Sequence, residues 1–255
     1  MTQNTTLSTR FYVGLDLGQS ADPSALAVLE QSQYSDPESR ASYACRHLQR
    51  WPLGTPYPTI VEEVGRLVAT PPLPNCALVV DATGCGRPVV DMIRQARPPA
   101  DLVPVTITAG HALTCGPDGY HVPKRELVST LQILLQERRL QIARALPEAA
   151  KLERELLSFQ MRITPSAHEA FGAWREDAHD DLVIALALAS WCAETLGRRD
   201  RLVVDRELVL WPPVRKQAHA DAAHGILFED PDADFIIVNG HRVDMRDREP
   251  HWWEN

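Results

Sequence analysis

Four aspartates occupy positions where a carboxylate is costly to place. Asp16 lies inside the apolar run VGLDLG, and Asp81 ends the apolar run LVVD. Asp180 and Asp181 open the very apolar stretch HDDLVIALALA. A carboxylate among core residues loses its hydration, so its charge has to be compensated by hydrogen bonds, a cation or a metal ion.

Taken singly, these aspartates have ordinary explanations. Asp16 can support a turn at Gly18, Asp81 can form an Asx-turn with Gly84, and Asp180 can cap the helix that follows it. Each of these roles is common for aspartate. No single one of the acids therefore indicates chemistry.

Taken together, the acids predict a metal site. If the strands that end at Asp16 and Asp81 are neighbours, the two carboxylates lie side by side, and a helix crossing the sheet can bring Asp181 to the same point. Three converging carboxylates repel one another unless cations neutralise them. Oxygen ligands without cysteine or paired histidine favour Mg²⁺ or Mn²⁺. Two such ions, about 3.5–4 Å apart, can activate a water and stabilise the leaving oxygen of a phosphodiester.

The hydrophobic patterns predict the elements that would position these acids. Three strand-like runs come first and strands then alternate with helices, which predicts a mixed α/β sheet with helices on both faces. The predicted strands are Phe11–Leu17, Ser24–Glu30, Tyr43–Trp51, Cys76–Asp81 and Leu102–Ile107, with a short extended piece at Leu140–Ile142. The predicted helices are Thr59–Ala69, Pro88–Gln95, Pro123–Glu137, Pro147–Phe159 and Asp181–Leu196, and the predicted loops are Thr108–Val122 and His168–Ala178.

The chain changes character after Arg199. Leu202–Trp211 and Leu227–Val243 are strand-like and are interrupted by prolines and a glycine. Residues 200–255 carry 12 acidic and 7 basic side chains, a net charge of −5 out of −8 for the whole chain. We therefore predict a domain over residues 1–199 and a small β-rich C-terminal appendage or tail over residues 200–255.

Composition narrows the class of protein. With 44% hydrophobic residues the chain can form a core, which excludes disorder over its whole length. The net charge of −8 argues against a protein that only coats nucleic acid, since such proteins are usually basic. Metal ions held by the acids would supply the missing positive charge.

The cysteines and the hydrophobicity profile indicate a compartment. None of the five cysteines forms a CxxC pair, so free thiols are expected, without a disulfide framework or a cysteine-built zinc site. No apolar run is long enough for a membrane helix, and the polar first ten residues contain no signal-peptide core. The expected location is the cytoplasm.

Five segments resemble the nuclease domain of phage large terminase subunits, which belongs to the RNase H-like superfamily. In order between about Phe11 and Trp191, they are VGLDLGQSADPSALAV, LVVDATGCGRPVVDMI, VPKRELVSTLQILLQERRLQIA, LERELLSF and HDDLVIALALASW. The resemblance implies an RNase H-like mixed five-stranded sheet flanked by helices. It also implies a two-metal-ion endonuclease that cleaves double-stranded DNA during phage or prophage genome packaging.

The same resemblance implies roles for the acids. Asp16, Asp81 and Asp181 would be catalytic and hold the two Mg²⁺ or Mn²⁺ ions, with Asp180 as a neighbour that can share the work. One ion would activate the attacking water and the other would stabilise the departing 3′ oxygen. His179 would contact the metal or the scissile phosphate; a surface or capping role is the alternative for this histidine.

Three basic residues are candidates for binding DNA phosphates. Lys124 and Arg125 begin a helix beside a glycine-containing loop, and Arg87 follows two glycines. Phosphate contacts supply most of the affinity for DNA. A solvated helix start is the alternative for Lys124 and Arg125. Because no module that reads base edges is recognisable, we expect weak sequence preference.

The sequence departs from a complete large terminase, and the segment after Arg199 has no recognisable counterpart there. The sequence contains no GxxxxGK[ST] motif, so no ATPase motor and no nucleotide site of that kind is expected. The chain would be a fragment, a split subunit or a relative that kept only the nuclease, unable to package DNA by itself. The expected partners are double-stranded DNA and a separate ATPase subunit, a small terminase subunit or a portal.

Three other functions use related features. An actin- or Hsp70-type ATPase also begins with a GxDxG turn, but it needs two duplicated domains and binds ATP. A non-catalytic interaction module would keep the fold and use the acidic tail as its working surface. A Holliday-junction resolvase of the same superfamily would share the chemistry and act as a dimer.

Overall fold

The computed structural model describes residues 6–18, 22–34, 39–163, 180–204, 235–238 and 241–244. The chain divides into two units, Met1–Val209 and Leu210–Asn255. His179 and the predicted loop His168–Ala178 lie outside the described residues.

Among the described residues, eight strands of the first unit form one sheet, in the order β6-β7-β5-β4-β1-β2-β3-β8, and five helices accompany it. The strands are β1 (Thr6–Asp16), β2 (Ala25–Tyr34), β3 (Ser42–Arg50), β4 (Cys76–Asp81), β5 (Ala100–Thr108), β6 (Thr114–Gly116), β7 (Gly119–Pro123) and β8 (Leu140–Ile142). The helices are α1 (Tyr57–Ala69), α2 (Gly86–Ala96), α3 (Lys124–Gln136), α4 (Ala149–Ile163) and α5 (Asp181–Val204).

The centre of this sheet is the RNase H-like arrangement that the resemblance implies. The five predicted strands stand in the order β3-β2-β1-β4-β5. β2 is antiparallel to both of its neighbours, whereas β4 runs parallel to β1 and to β5. The predicted fold class is confirmed, and β6, β7 and β8 extend the sheet from five strands to eight.

The prediction of a loop over Thr108–Val122 is wrong in part. This segment contains β6 and most of β7, which pair with each other, and β7 also pairs in parallel with β5. Gly119 at the start of β7 has a φ of +124°, and a Cβ there would lie 2.4 Å from the carbonyl oxygen of Pro104. The glycine that suggested a loop is thus required for close packing against β5, and pairing to the existing sheet edge overrides the weak local strand signal.

Alternation along β1 sends its side chains to two different layers. Val13 and Leu15 pack with the buried residues of α1 and α2 on one face. Tyr12 faces the opposite layer, which is built from α3, α4 and α5. Helices therefore cover both faces, as predicted, and Asp16 has the same strand parity as Tyr12, which places it on the α5 face.

The contact between β1 and α5 is made by backbone rather than by side chains. A Cβ on Gly14 would lie 1.9 Å from the carbonyl oxygen of Ala185, so only glycine fits. Asp16 follows Gly14 by two residues on the same face of β1, and Asp181 precedes Ala185 by one helical turn. The close approach at Gly14 therefore brings the end of β1 and the start of α5 together.

The C-terminal strand predictions have mixed outcomes. Leu202–Val204, predicted as the start of a strand, is the last part of α5, because the apolar helix continues past its predicted end. In the second unit, β9 (Phe235–Val238) and β10 (His241–Asp244) form an antiparallel hairpin within the predicted strand-like segment. Among the described residues, no helix is long and apolar enough to cross a membrane.

Candidate metal centre

A row of residues at one edge of the sheet organises the site. β1 and β4 pair with Leu15 opposite Val80, so the next residues in this parallel register are Asp16 and Asp81. On the other side, Asp16 pairs with Ala25, and Ala25 pairs with Arg50. The order across the sheet is thus Arg50, Ala25, Asp16 and Asp81, and Ala25 leaves room above it because its side chain is a single methyl group.

Asp16 and Asp81 are close enough for each to change the pKa of the other. Burial raises the pKa of Asp16 well above its ordinary value, and the negative charges of Asp81, Asp181 and Asp180 raise it further, opposed by Lys124. Burial also raises the pKa of Asp81, whereas hydrogen bonds from Thr83 lower it. The pair can share one proton in the absence of a metal ion, because two ionised carboxylates at this separation repel each other.

Asp81 is held in place by the turn that follows β4. Its Oδ1 accepts a hydrogen bond of 2.8 Å from the N–H of Thr83. The Thr83 hydroxyl oxygen in turn accepts one of 2.8 Å from the N–H of Ile107. An Asx-type turn is therefore present, although its donor is Thr83 rather than the predicted Gly84, and it fixes the carboxylate without removing it from the site.

The first turn of α5 contributes two more acids, each paired with a cation. Asp180 Oδ2 accepts from Lys124 Nζ at 3.0 Å. Asp181 Oδ2 accepts from Arg50 Nη2 at 2.6 Å, and both side chains of this second pair are largely buried. These ion pairs fix the helix start against α3 on one side and β3 on the other.

A fifth acid, Glu155 on α4, caps α5. Its Oε2 accepts hydrogen bonds from the N–H groups of Leu182 and Val183, at 3.0 and 3.3 Å. Its Oε1 lies 3.6 Å from Arg50 Nη1. Burial raises the pKa of Glu155 to about 7, and the charge of Asp181 acts in the same direction. Arg50 and the two N–H groups act in the opposite direction and lower it. The sequence suggested Asp180 as the residue that caps α5; in the structure, the Glu155 carboxylate accepts hydrogen bonds from the first turn of the helix.

The donor set fits a hard divalent cation. Asp16, Asp81, Asp180 and Asp181 supply only oxygen, as Mg²⁺ and Mn²⁺ prefer. The pKa of Asp16 is raised first by burial and then by the negative charge of its neighbours, which additional cations would neutralise. Within the described part of the chain, no three carboxylate, histidine or cysteine groups already stand in the arrangement of a metal site.

The candidate DNA-binding residues lie in different places. Lys124 is inside the acidic site, through its ion pair with Asp180. Arg125 donates a hydrogen bond to the carbonyl oxygen of His111, and exposed Arg87 forms an ion pair with Asp118 on the β6–β7 turn. The structure thus brings Lys124 to the acids and places Arg87 beside the hairpin; His179 lies outside the described residues.

Arg50 and Glu155 are site residues that the sequence reasoning missed. The predicted three-stranded meander makes β3 parallel to β1, so the end of β3 lies at the same sheet edge as Asp16. That inference would have drawn attention to Arg50, which ends β3. Glu155 gave a weaker signal, since it is one of several acids on an amphipathic helix. Only the packing of α4 against α5 distinguishes it.

Solved structures of similar fold include nuclease domains of terminases. The large terminase nuclease from thermophilic phage G20c with bound magnesium is 20% identical, covering 73% of this chain and 83% of that one, with a TM-score of 0.47. The human cytomegalovirus terminase nuclease domain is 16% identical, covering 77% and 89%, with a TM-score of 0.45. The HK97 bacteriophage large terminase is 13% identical, covering 74% of this chain and 40% of that one, with a TM-score of 0.44. No protein-family model and no curated protein matches the sequence.

Proposed function

We propose that this protein is a metal-dependent endonuclease that cleaves double-stranded DNA, as the nuclease of a terminase that packages a phage or prophage genome. The observation that carries the proposal is the adjacent placement of Asp16 and Asp81 at the ends of two neighbouring parallel strands, with Asp180 and Asp181 at the helix start beside them. Structural roles explain each acid singly. They do not explain why four are gathered where their charges oppose one another.

In this proposal, Asp16, Asp81 and Asp181 hold two Mg²⁺ or Mn²⁺ ions, and Asp180 assists. When bound, such ions supply positive charge and Lewis acidity for hydrolysis of a phosphodiester. The protein contributes an oriented acceptor at Asp81, fixed by Thr83, and a helix start at Asp181, fixed by Glu155. These fixed groups reduce the reorganisation needed when DNA binds.

Positive charge for the DNA backbone would come from Lys124, Arg125 and Arg87. Of the three, Lys124 lies beside the acids. When DNA binds, its ammonium would leave the ion pair with Asp180 and contact a phosphate instead. His179, next to Asp180 in the sequence, is a further candidate for contact with the metal or the scissile phosphate. The proposed partners are double-stranded DNA and a separate ATPase subunit, a small terminase subunit or a portal.

A plasmid-nicking assay tests the proposal. Supercoiled plasmid is incubated with the protein and Mn²⁺, Mg²⁺ or EDTA, and wild type is compared with Asp81→Asn. Asparagine keeps an oxygen for the N–H of Thr83 but removes the charge, so the turn survives. We expect nicking that depends on metal and falls by about 100-fold or more in the variant, the scale of losing a main charge-stabilising group.

The matched control is Asp91→Asn on α2, an exposed acid paired with Arg94. It should nick as fast as wild type. Nicking that survives Asp81→Asn would contradict the assigned site. A wild type that cuts with neither metal would contradict the nuclease and favour the interaction module. Preferential cutting of four-way junctions by a dimer would favour the resolvase, and specific ATP binding would favour the actin-type ATPase.

A further inference from the structure

We infer that Arg50 is a positioning residue of the proposed metal site, holding the Asp181 carboxylate in place through a buried ion pair that Glu155 anchors. The inference rests on the proposed function, because it concerns the same site. It adds a residue from β3, a strand that supplies none of the acids.

The register of the sheet makes Arg50 a member of the site. Arg50 pairs with Ala25, and Ala25 pairs with Asp16, so arginine and aspartate stand two strands apart in one row. Two strand spacings are about 10 Å, a gap that side chains can bridge above the small Ala25. Asp181 bridges it, since it contacts Arg50 directly and lies close enough to Asp16 for its charge to act there.

The geometry of the guanidinium fits a positioning role. Nη2 contacts Asp181 Oδ2 at 2.6 Å, while Nη1 lies 3.6 Å from Glu155 Oε1. Glu155 is itself fixed by the N–H groups of Leu182 and Val183. Arg50 is therefore held from α4 while it holds Asp181 on α5, so the acid is oriented by a closed set of contacts among three elements.

Charge and burial also support Arg50 as the residue that positions Asp181. The side chains of Arg50, Glu155 and Asp181 are only 14%, 8% and 5% exposed. Without Arg50, two carboxylates would remain side by side, nearly closed to water, and Asp181 would lose the contact that Arg50 makes with its Oδ2. A carboxylate has about four acceptor positions on its two oxygens, so Asp181 can keep Arg50 as a partner and also ligate a metal ion.

The experiment is a direct measurement of Mn²⁺ affinity on the metal-free, full-length protein, by titration calorimetry or by electron paramagnetic resonance of free Mn²⁺. It is made well below the melting temperature, so that only folded protein is compared. We expect Arg50→Gln to weaken Mn²⁺ binding by about tenfold, the lower end of what loss of a partner of a metal ligand causes. Arg50→Lys, which keeps the charge but not the two-pronged contact, should recover part of that loss.

The matched control is Arg46→Gln, on the same strand. Arg46 forms an exposed ion pair with Glu30, and its loss should leave Mn²⁺ affinity unchanged. If Arg50 only stabilises the fold, Arg50→Gln will unfold more easily but bind Mn²⁺ as wild type does. If Arg50 competes with the metal, Arg50→Gln will bind Mn²⁺ more tightly. Either result overturns the inference and leaves the proposed function standing. Absence of Mn²⁺ binding by wild type overturns both.

Discussion

The start and the middle of α5 both bury polar groups against the sheet, but they differ in how charge is compensated. In the middle, Glu194 accepts a hydrogen bond from the Tyr43 hydroxyl and pairs with Arg139. Gln31 donates to the Tyr43 oxygen at 2.9 Å, and its own oxygen lies 3.3 Å from the Tyr12 hydroxyl. Each of the charged groups in this network thus has a partner of opposite charge.

At the start of α5, the charges of the described residues do not balance. Asp16, Asp81, Asp180 and Asp181 share Lys124 and Arg50, and the second of these cations also serves Glu155. The pKa of Asp16 is raised accordingly, by burial first and then by its neighbours. In the middle of α5 the buried charges compensate one another, whereas the excess of negative charge at its start is the feature expected of a site that binds a cation.

The largest expected effect on stability is in the charge-compensated network around Glu194. Arg139→Met should lower the free energy of unfolding by about 3 kcal/mol or more, because it leaves Glu194 largely buried without its cation. Urea denaturation of the metal-free protein measures this. Metal-dependent nicking by the folded fraction should be unchanged.

The comparison variant is Arg46→Met, which breaks an exposed ion pair and should change stability little. A loss for Arg139→Met no larger than for this control would mean that the network around Glu194 contributes little to stability. The start and the middle of α5 would then not differ in the way proposed.

A second substitution tests the backbone contact between β1 and α5. Gly14→Ala places a Cβ 1.9 Å from the Ala185 carbonyl oxygen, so α5 has to move away from β1. We expect a loss of about 1–3 kcal/mol in the free energy of unfolding. Nicking should fall as well, because Asp181 moves with the helix.

The control for this change is Gly65→Ala in α1. A Cβ there meets nothing within 4 Å, so alanine should stabilise the helix by about 0.5–1 kcal/mol. Thermal and urea unfolding compare the two variants. Equal behaviour at positions 14 and 65 would show that the backbone contact does not hold α5 in place.

The smallest expected effect has the opposite sign. Asp16→Asn should raise the free energy of unfolding of the metal-free protein at pH 8, on the order of 1 kcal/mol, because it removes a carboxylate from a buried, negatively charged place. The same variant should lose the stabilisation that Mn²⁺ gives to wild type. Removing the acid Asp16 beside the start of α5 would then stabilise the protein, whereas removing the base Arg139 beside its middle destabilises it.

The pH dependence has a defined direction. The pKa of Asp16 is above its ordinary value of 3.8 in the folded protein, so the folded state keeps a proton that the unfolded chain releases. Its stability contribution is complete below pH 3.8 and is lost as pH rises toward the raised pKa. In EDTA, this fall should be shallower for Asp16→Asn. A variant less stable than wild type at pH 8 would contradict the assignment of charge excess.

Much of the fold could be predicted from local patterns. The three-stranded start, the buried run CALVVD and the amphipathic helices have strong periodicity, and all of them appear in the structure. The hairpin of β6 and β7 could not be predicted, because its strands are short, rich in glycine and stabilised by pairing with β5. The end of α5 was missed because Leu202–Val204 resembles a strand when read without the helix before it.

The sequence by itself determined which acids could form the site. Asp16, Asp81, Asp180 and Asp181 are conspicuous because they interrupt or border apolar runs, and desolvation of a carboxylate is costly in any fold. Whether these acids meet is a separate question that depends on strand order, on register and on the close approach at Gly14.

The partners of these acids were decided at the level of tertiary structure. Arg50 and Glu155 come from β3 and α4, and their local sequences resemble those of many surface residues. Their roles follow from burial and from one another's charge, because an arginine becomes a partner of Asp181 only when packing excludes the water that would otherwise solvate both.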